Sequence, residues 1–213
     1  MEGLRSTEVV FNEADRDELL ATADGSLDPL SRLVENLLDM SRLQSGALGV
    51  HLEATSVAEL APLAVDQVGG AGLTVPIILD DQLQDAQADP TLLERILVNL
   101  VFNAVKHSPA DSAPTIAAES DGDYVHVRVI YHGKGLSADD RERVFLPFQR
   151  TGDTNGEPGI GLGLALSRGL AEAMGETLDA HDTPGGGLTM SLALPVAPTS
   201  VRGASSTSMV DQP

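Results

Sequence analysis

A chain of 213 residues with 42% hydrophobic content can bury a real core, although 3% aromatics leave that core to Leu, Val, Ile and Ala. Its formal net charge of −19 excludes an ordinary nucleic-acid binder, since no basic stripe exists to displace phosphate counterions, but it permits a local cationic pocket for a small phosphate ligand. The absence of cysteine excludes a disulfide scaffold and any thiolate metal site, and it fits a reducing cytoplasm.

The longest strongly apolar run is about half of the roughly 20 residues needed to span a bilayer, and no secretory signal is present. The expectation is a cytoplasmic chain without membrane contact of its own. In chain order, residues 1–26 read as a polar leader with one short helix, NEADRDELLATAD, capped by Asn12 and stopped at Gly25. Asp28 and Pro29 then form a cap and first-turn pair for a second helix, PLSRLVENLLDMSRLQSG, ended by Gly46. Its apolar positions Leu30, Leu33, Val34, Leu37, Leu38 and Met40 form one wide stripe, with Arg32, Glu35, Asp39 and Arg42 mostly opposite. Two readings fit: an amphipathic helix packed on its own domain, or half of a helical hairpin whose exposed stripe favours self-association.

From residue 47 the pattern changes. ALGVHLEA and LTVPIIL read as strands around a helix, SVAELAPLAVDQV, that Ser56 can cap. A longer helix runs from Asp89-Pro90 to His107, where Ser108-Pro109 ends it. PTIAAES and DYVHVRVIY follow as a hairpin through DGD, then a short helix ADDRERVF and an aperiodic loop, LPFQRTGDTNGEPG. A glycine run opens the helix LGLALSRGLAEAM, and ETLDAHD, TPGGG and LTMSLALP close the fold. Residues 197–213, rich in Ser, Thr and Pro, read as a disordered tail. Helices mixed with sequence-adjacent strands predict an α+β fold, a two-layer sandwich in which a mixed sheet carries helices on one face.

The helix at 90–107 makes an odd choice. Leu97, Leu100, Val101 and Ala104 repeat as a buried stripe, yet Asn99 and Asn103 sit one turn apart among them. At roughly 100° per residue, Arg95, Asn99, Asn103 and Lys106 fall within about a quarter of the circumference. Carboxamide oxygens are neutral hard ligands suited to Mg²⁺, which borrows its other ligands from water and phosphate, and a lysine one turn away would meet a phosphate oxygen. Alternatively, the two asparagines cap a neighbouring strand or loop. Gly159, Gly161 and Gly163 in GIGLGLALS place free amides and a helix dipole at a helix entry, which is an anion site. The spacing fits neither a Rossmann fingerprint nor a P-loop. HGKG, with Gly133 and Gly135, ends a strand in a tight turn. Each glycine motif alone is weak evidence; their order along the chain is a strong signal.

From about residue 50 to 196 the chain resembles the ATP-binding catalytic domain of sensor histidine kinases, within the gyrase, Hsp90, kinase and MutL ATPase superfamily. NLVFNAVKHSP matches the N box, HGKG the first glycine box, VFLPFQR the F box, PGIGLGLALS the second glycine box and GGGLT the last. LSRLVENLLDMSRLQSG resembles the second dimerisation helix of those kinases, and with GLGLALSRGLAEAMG and DTPGGGLTM it is similar to the KdpD potassium/turgor sensor subfamily. The resemblance implies a Bergerat-type ATPase fold at 49–196, preceded by a dimerisation-type helix at 27–48. It implies ATP and Mg²⁺ as cofactors, with Asn99 and Asn103 holding the metal and Lys106 and Arg150 neutralising phosphate. His107 and Thr189 would approach the nucleoside, and the Gly161, Leu162, Gly163 and Leu164 amides would cradle phosphate, entered from Gly159. Residues 146–160 would form a mobile lid, with Phe145 and Phe148 anchoring its base in the core. A response regulator and a histidine-bearing dimerisation segment are the implied partners.

Two departures qualify the resemblance. The family's first glycine box begins with an aspartate that accepts from the adenine amino group, and here that position is Tyr131. Weak ATP binding, improved by Tyr131→Asp, is therefore expected. The family's phosphoacceptor box is also missing, because the histidines stand in HLEAT, HSPAD, HVRVI, HGKGL and HDTPG. The leading expectation is a catalytic portion that transfers the γ-phosphoryl group to a histidine elsewhere. The alternatives are a pseudokinase-like interaction module, which Tyr131 favours, and a serine kinase or anti-sigma factor of the superfamily, which the 29–45 helix and F box oppose.

Overall fold

The computed structural model describes residues 31–68, 75–149 and 161–198. The expected leader helix, the Asp28-Pro29 cap, and Arg150 and Gly159 lie outside those residues. A helix at 31–44 (α1) leads to β1 (Glu53–Thr55), α2 (Val57–Val68), β2 (Ile77–Leu79), β3 (Ala86–Ala88) and α3 (Pro90–His107). Then come β4 (Thr115–Ser120), β5 (Tyr124–Tyr131), α4 (Ala138–Arg143), α5 (Gly163–Ala173), β6 (Thr177–Asp182) and β7 (Leu188–Pro195).

The main sheet has five strands in the order β2-β4-β5-β7-β6, and a two-stranded ladder joins β1 to β3. Only the β2–β4 pair in the main sheet is parallel. Strict alternation puts Val125, Val127, Val129 and Tyr131 of β5 on one face with Leu188, Met190, Leu192 and Leu194 of β7. That face meets Leu93, Ile96, Leu97 and Leu100 of α3 and Leu166 and Leu170 of α5 in a single aliphatic core. The result is the expected two-layer sandwich.

Helix α3 is the spine of the layer, and local chemistry sets both its ends. The Asp89 carboxylate accepts from the Thr91 and Leu92 amides at 3.0 and 3.1 Å, and Pro90 supplies a preset first turn. The other Asp89 oxygen accepts from the His51 amide at 2.8 Å, tying the approach to β1 onto the same cap. Ser108, extended at ψ 140°, ends the helix ahead of Pro109.

Two details differ from expectation. Of ALGVHLEA only Glu53 and Ala54 lie in strand β1, and its partner β3 carries no strand signal of its own. Ala197, at the expected start of the tail, is buried and donates to the Asp85 carbonyl at 2.8 Å. Helix α1 docks through its mixed face, while Val34, Leu37 and Leu38 of the apolar stripe stay exposed. Arg95 of α3 supplies the reason: its Nε lies 2.5 Å from Asp39 and its Nη2 3.5 Å from Glu35. The Arg32 guanidinium sits 4.6 Å over the Phe102 ring, and Leu43 fills the notch left by Gly169 of α5.

Candidate functional site

Asn99 lies midway along α3, where the helix passes the N-terminus of α5. A Cβ at Gly163 would stand 3.7 Å from Asn99 Oδ1, so the missing side chain brings the carboxamide up to the first turn of α5. Asn99 Nδ2 is buried and makes no hydrogen bond. An unpaired buried amide costs about 1–3 kcal/mol, so the position is unfavourable without a ligand. Asn103 is half-buried one turn on, followed by the half-buried Lys106 and the exposed His107. Among the described residues no cluster of three or more His, Cys, Asp or Glu gathers. A metal here would depend on carboxamide oxygens and ligand phosphates.

Among the described residues no side chain caps α5 at Leu162. Its first amides point outward with the helix dipole behind them, which is favourable for an anion. Gly161 just before it has φ 71°, and a Cβ there would lie only 2.3 Å from the Gln149 carbonyl oxygen. In turn the Gly161 carbonyl accepts from the Phe148 amide at 3.0 Å. The two ends of the segment 150–160 are thus fixed to each other.

Phe145 is buried, as expected for the base of that segment, beneath the Arg168 guanidinium at 3.6 Å from the ring centre. Arg168 also donates to the Leu178 carbonyl at 3.2 and 3.3 Å, which fixes α5 against β6. Phe148 is a correction: it is 64% exposed and adopts φ 63°. The backbone bond to Gly161 sets its conformation and turns the ring away from the core.

At the far end of α3 the glycine turns of 132–135 and 184–187 interlock. A Cβ on Gly187, at φ 123°, would lie 2.0 Å from the Tyr131 carbonyl oxygen, so only glycine allows the ends of β5 and β7 to meet. His132 Nδ1 is 3.2 Å from the Gly186 carbonyl. Beneath this knot Tyr131 is 6% exposed, with its ring stacked on His107 at 6.4 Å and 29°. Burial alone pushes its phenol up to about 12.

Asn99, Gly161, Leu162, Gly163 and Leu164 therefore gather at the middle of α3, and His107, Tyr131, Gly133 and Gly135 at its C-terminal end. Eight residues of helix separate Asn99 from His107, roughly 12 Å along the axis. Thr189 is not brought to this set. It lies on the opposite face of β7 from Leu188, the register partner of Tyr131, and its hydroxyl is 2.9 Å from that of Thr183. One step along a strand reverses the face. Sequence reasoning missed Leu188 and the pairing of Arg95 with α1. A separate groove of about 380 Å³, lined by Met40, Phe145, Leu146 and Arg168, lies between α1, α4 and α5 and holds none of the site residues.

Residues 88–198 match the family described as histidine kinase-, DNA gyrase B-, and HSP90-like ATPase. The chain is 51% identical over 168 residues to the sensor protein KdpD of Rathayibacter rathayi, covering 79% of this chain and 20% of that protein. It is 40% identical over 200 residues to the sensor protein KdpD of Mycobacterium tuberculosis, covering 90% and 23%. The chain thus spans about a fifth of the length of these curated relatives. The crystal structure of full-length ShkA in complex with AMPPNP superposes with a TM-score of 0.70 at 27% identity, covering 89% of this chain and 40% of ShkA.

Proposed function

The chain belongs to the histidine kinase-, DNA gyrase B- and HSP90-like ATPase family, and we propose that it is the ATP-binding catalytic portion of a KdpD-like sensor histidine kinase. In this reading residues 49–196 are the nucleotide-binding unit and α1 is the second helix of a dimerisation hairpin. The γ-phosphoryl group of ATP passes to a histidine on another segment or chain, and a response regulator receives it next. The observation that carries the reading is the buried, unpartnered carboxamide of Asn99 beside Gly163 at the uncapped start of α5.

Those residues fit a metal-bound triphosphate. A carboxamide can present oxygen or NH₂ by a half-turn of its last torsion, and the amide without a partner has that choice open. Asn99 and Asn103 would hold Mg²⁺, whose charge neutralises phosphate oxygens when it is bound. The α5 amides contribute fixed partial positive charge where the transferred group carries negative charge. Lys106 and Arg150 add full charges, and His107 and Tyr131 flank the base. Catalysis then rests on positioning and charge neutralisation, as phosphoryl transfer generally does.

Tyr131 gives one alternative specific support: a phenol in place of a carboxylate suits a pseudokinase-like module with impaired nucleotide binding. Radiolabelled ATP, supplied with a separate histidine-bearing dimerisation hairpin from a relative, distinguishes the two. Label on the hairpin supports the kinase. No label on the hairpin, with the chain folded, supports the interaction module. The same assembly, followed by light scattering over a concentration series, tests self-association through the exposed stripe of α1. Among the described residues no helix is long and apolar enough to cross a membrane, which is compatible with a cytoplasmic unit.

A further inference from the structure

We propose that Tyr131 makes the base end of this site permissive, so that a nucleoside triphosphate is selected by its magnesium-triphosphate half and not by the identity of its purine. The inference rests on the nucleotide-site reading above and concerns specificity within it.

Three observations carry it. First, Tyr131 is the last residue of β5, faces the helix layer and is 6% exposed, so the base end of the site is built around its ring. Its register partner Leu188 is apolar and buried and offers no hydrogen bond to a base edge. Second, Tyr131 stacks with the imidazole of His107 at 6.4 Å between centroids. Stacking on flat rings accepts every base, because each has a π-face. Third, the phenol stays protonated throughout the working pH range, since burial pushes it up to about 12.

A neutral phenol both donates and accepts. It can accept from the exocyclic amine of adenine or donate to the exocyclic carbonyl of guanine. A carboxylate at the same place would only accept, favouring the first base and repelling the second. Among the described residues no other carboxylate of the sheet restores the selection from this face. Asp182 pairs with Leu188 in the sheet and so shares Tyr131's face, but two inter-strand spacings place it roughly 10 Å away. It is also 63% exposed and ion-paired to Arg141. His132, next in the turn, is engaged with the Gly186 carbonyl. The phosphate end keeps what it needs: the unpartnered Asn99 amide, the Gly163 notch and the uncapped α5 terminus.

Calorimetric titration of the 213-residue chain with MgATP, MgGTP and magnesium triphosphate tests the inference, with a thermal melt to verify folding. ATP and GTP should bind within about threefold of one another, and Tyr131→Asp should create an ATP preference of about tenfold or more. Tyr131→Phe, which keeps the stack, should weaken both nucleotides without separating them. A tenfold ATP preference in the unaltered chain overturns the inference and leaves the nucleotide site standing. Binding of magnesium triphosphate but of neither nucleotide also overturns it, as the base end would then be plugged. If a folded chain binds none of the three, the nucleotide-site reading falls and the inference falls with it.

Discussion

Arg95 of α3 and Asp39 of α1 form a contact of 2.5 Å, with Asp39 buried at 8% exposure. The same helix carries Asn99 one turn further on, so the mount of α1 and the proposed phosphate end of the site share one rigid element. Removing either partner leaves a charge in a partly buried place. Asp39→Ala should cost about 1–3 kcal/mol in urea denaturation. A double-mutant cycle with Arg95→Ala should return a coupling of at least about 0.5 kcal/mol. Additive single effects would show that the pair does not hold α1.

Asn99→Leu should separate stability from binding. An apolar side chain of similar size removes the unpaired buried amide, so the ligand-free chain should gain about 1 kcal/mol. MgATP should raise the melting temperature of the unaltered chain, and the same change should abolish that rise. Lower stability of the ligand-free variant would mean that the amide has a partner in solution.

Gly187→Ala and Gly185→Ala differ in what the new methyl meets. Both glycines have positive φ, but a Cβ at Gly185 has nothing within 4 Å, whereas at Gly187 it falls on the Tyr131 carbonyl. The Gly185 variant should lose about 1 kcal/mol from backbone strain alone. Its Gly187 counterpart should lose about 3 kcal/mol or more, because the ends of β5 and β7 must part. Equal losses would rule out the interlocked turns.

Tyr131→Asp should raise ATP affinity by about one to two decades, the value of a hydrogen bond to a charged acceptor. Titration with MgATP measures it, and unchanged or weaker binding counts against a base-facing Tyr131.

The same residue predicts an alkaline weakness. The folded phenol titrates at about 12 against an ordinary value of 10.0, so between those pH values the unfolded chain has released a proton that the folded chain retains. Stability is therefore intact below pH 10 and falls as pH rises toward 12, by about 2–3 kcal/mol for this group. Unfolding curves for Tyr131→Phe should lack that part of the decline. Parallel curves for the two proteins would show the phenol to be solvated.

How far the sequence could be read depended on how local the deciding forces were. Both ends of α3 were legible because Asp89-Pro90 and Ser108-Pro109 act within one turn. Strand β3 was not, since Ala-Gln-Ala becomes strand only by pairing with β1. The face on which α1 docks was ambiguous because its partner Arg95 lies 60 residues beyond Glu35 in the chain. Thr189 failed for a different reason: glycine turns fix where a strand starts but leave its facing open to a one-residue shift. Asn99 and Gly163 were legible because polarity in a buried stripe and glycine at a helix entry both violate local preference.

The bond between the Phe148 amide and the Gly161 carbonyl has an evolutionary corollary. Since the fold already holds those two points together, whatever is inserted between them closes a loop whose span does not vary. Each doubling of its length then costs only about 0.6 kcal/mol. That makes the stretch a graft point: sequences of different length and character can be exchanged there while the start of α5 keeps its position.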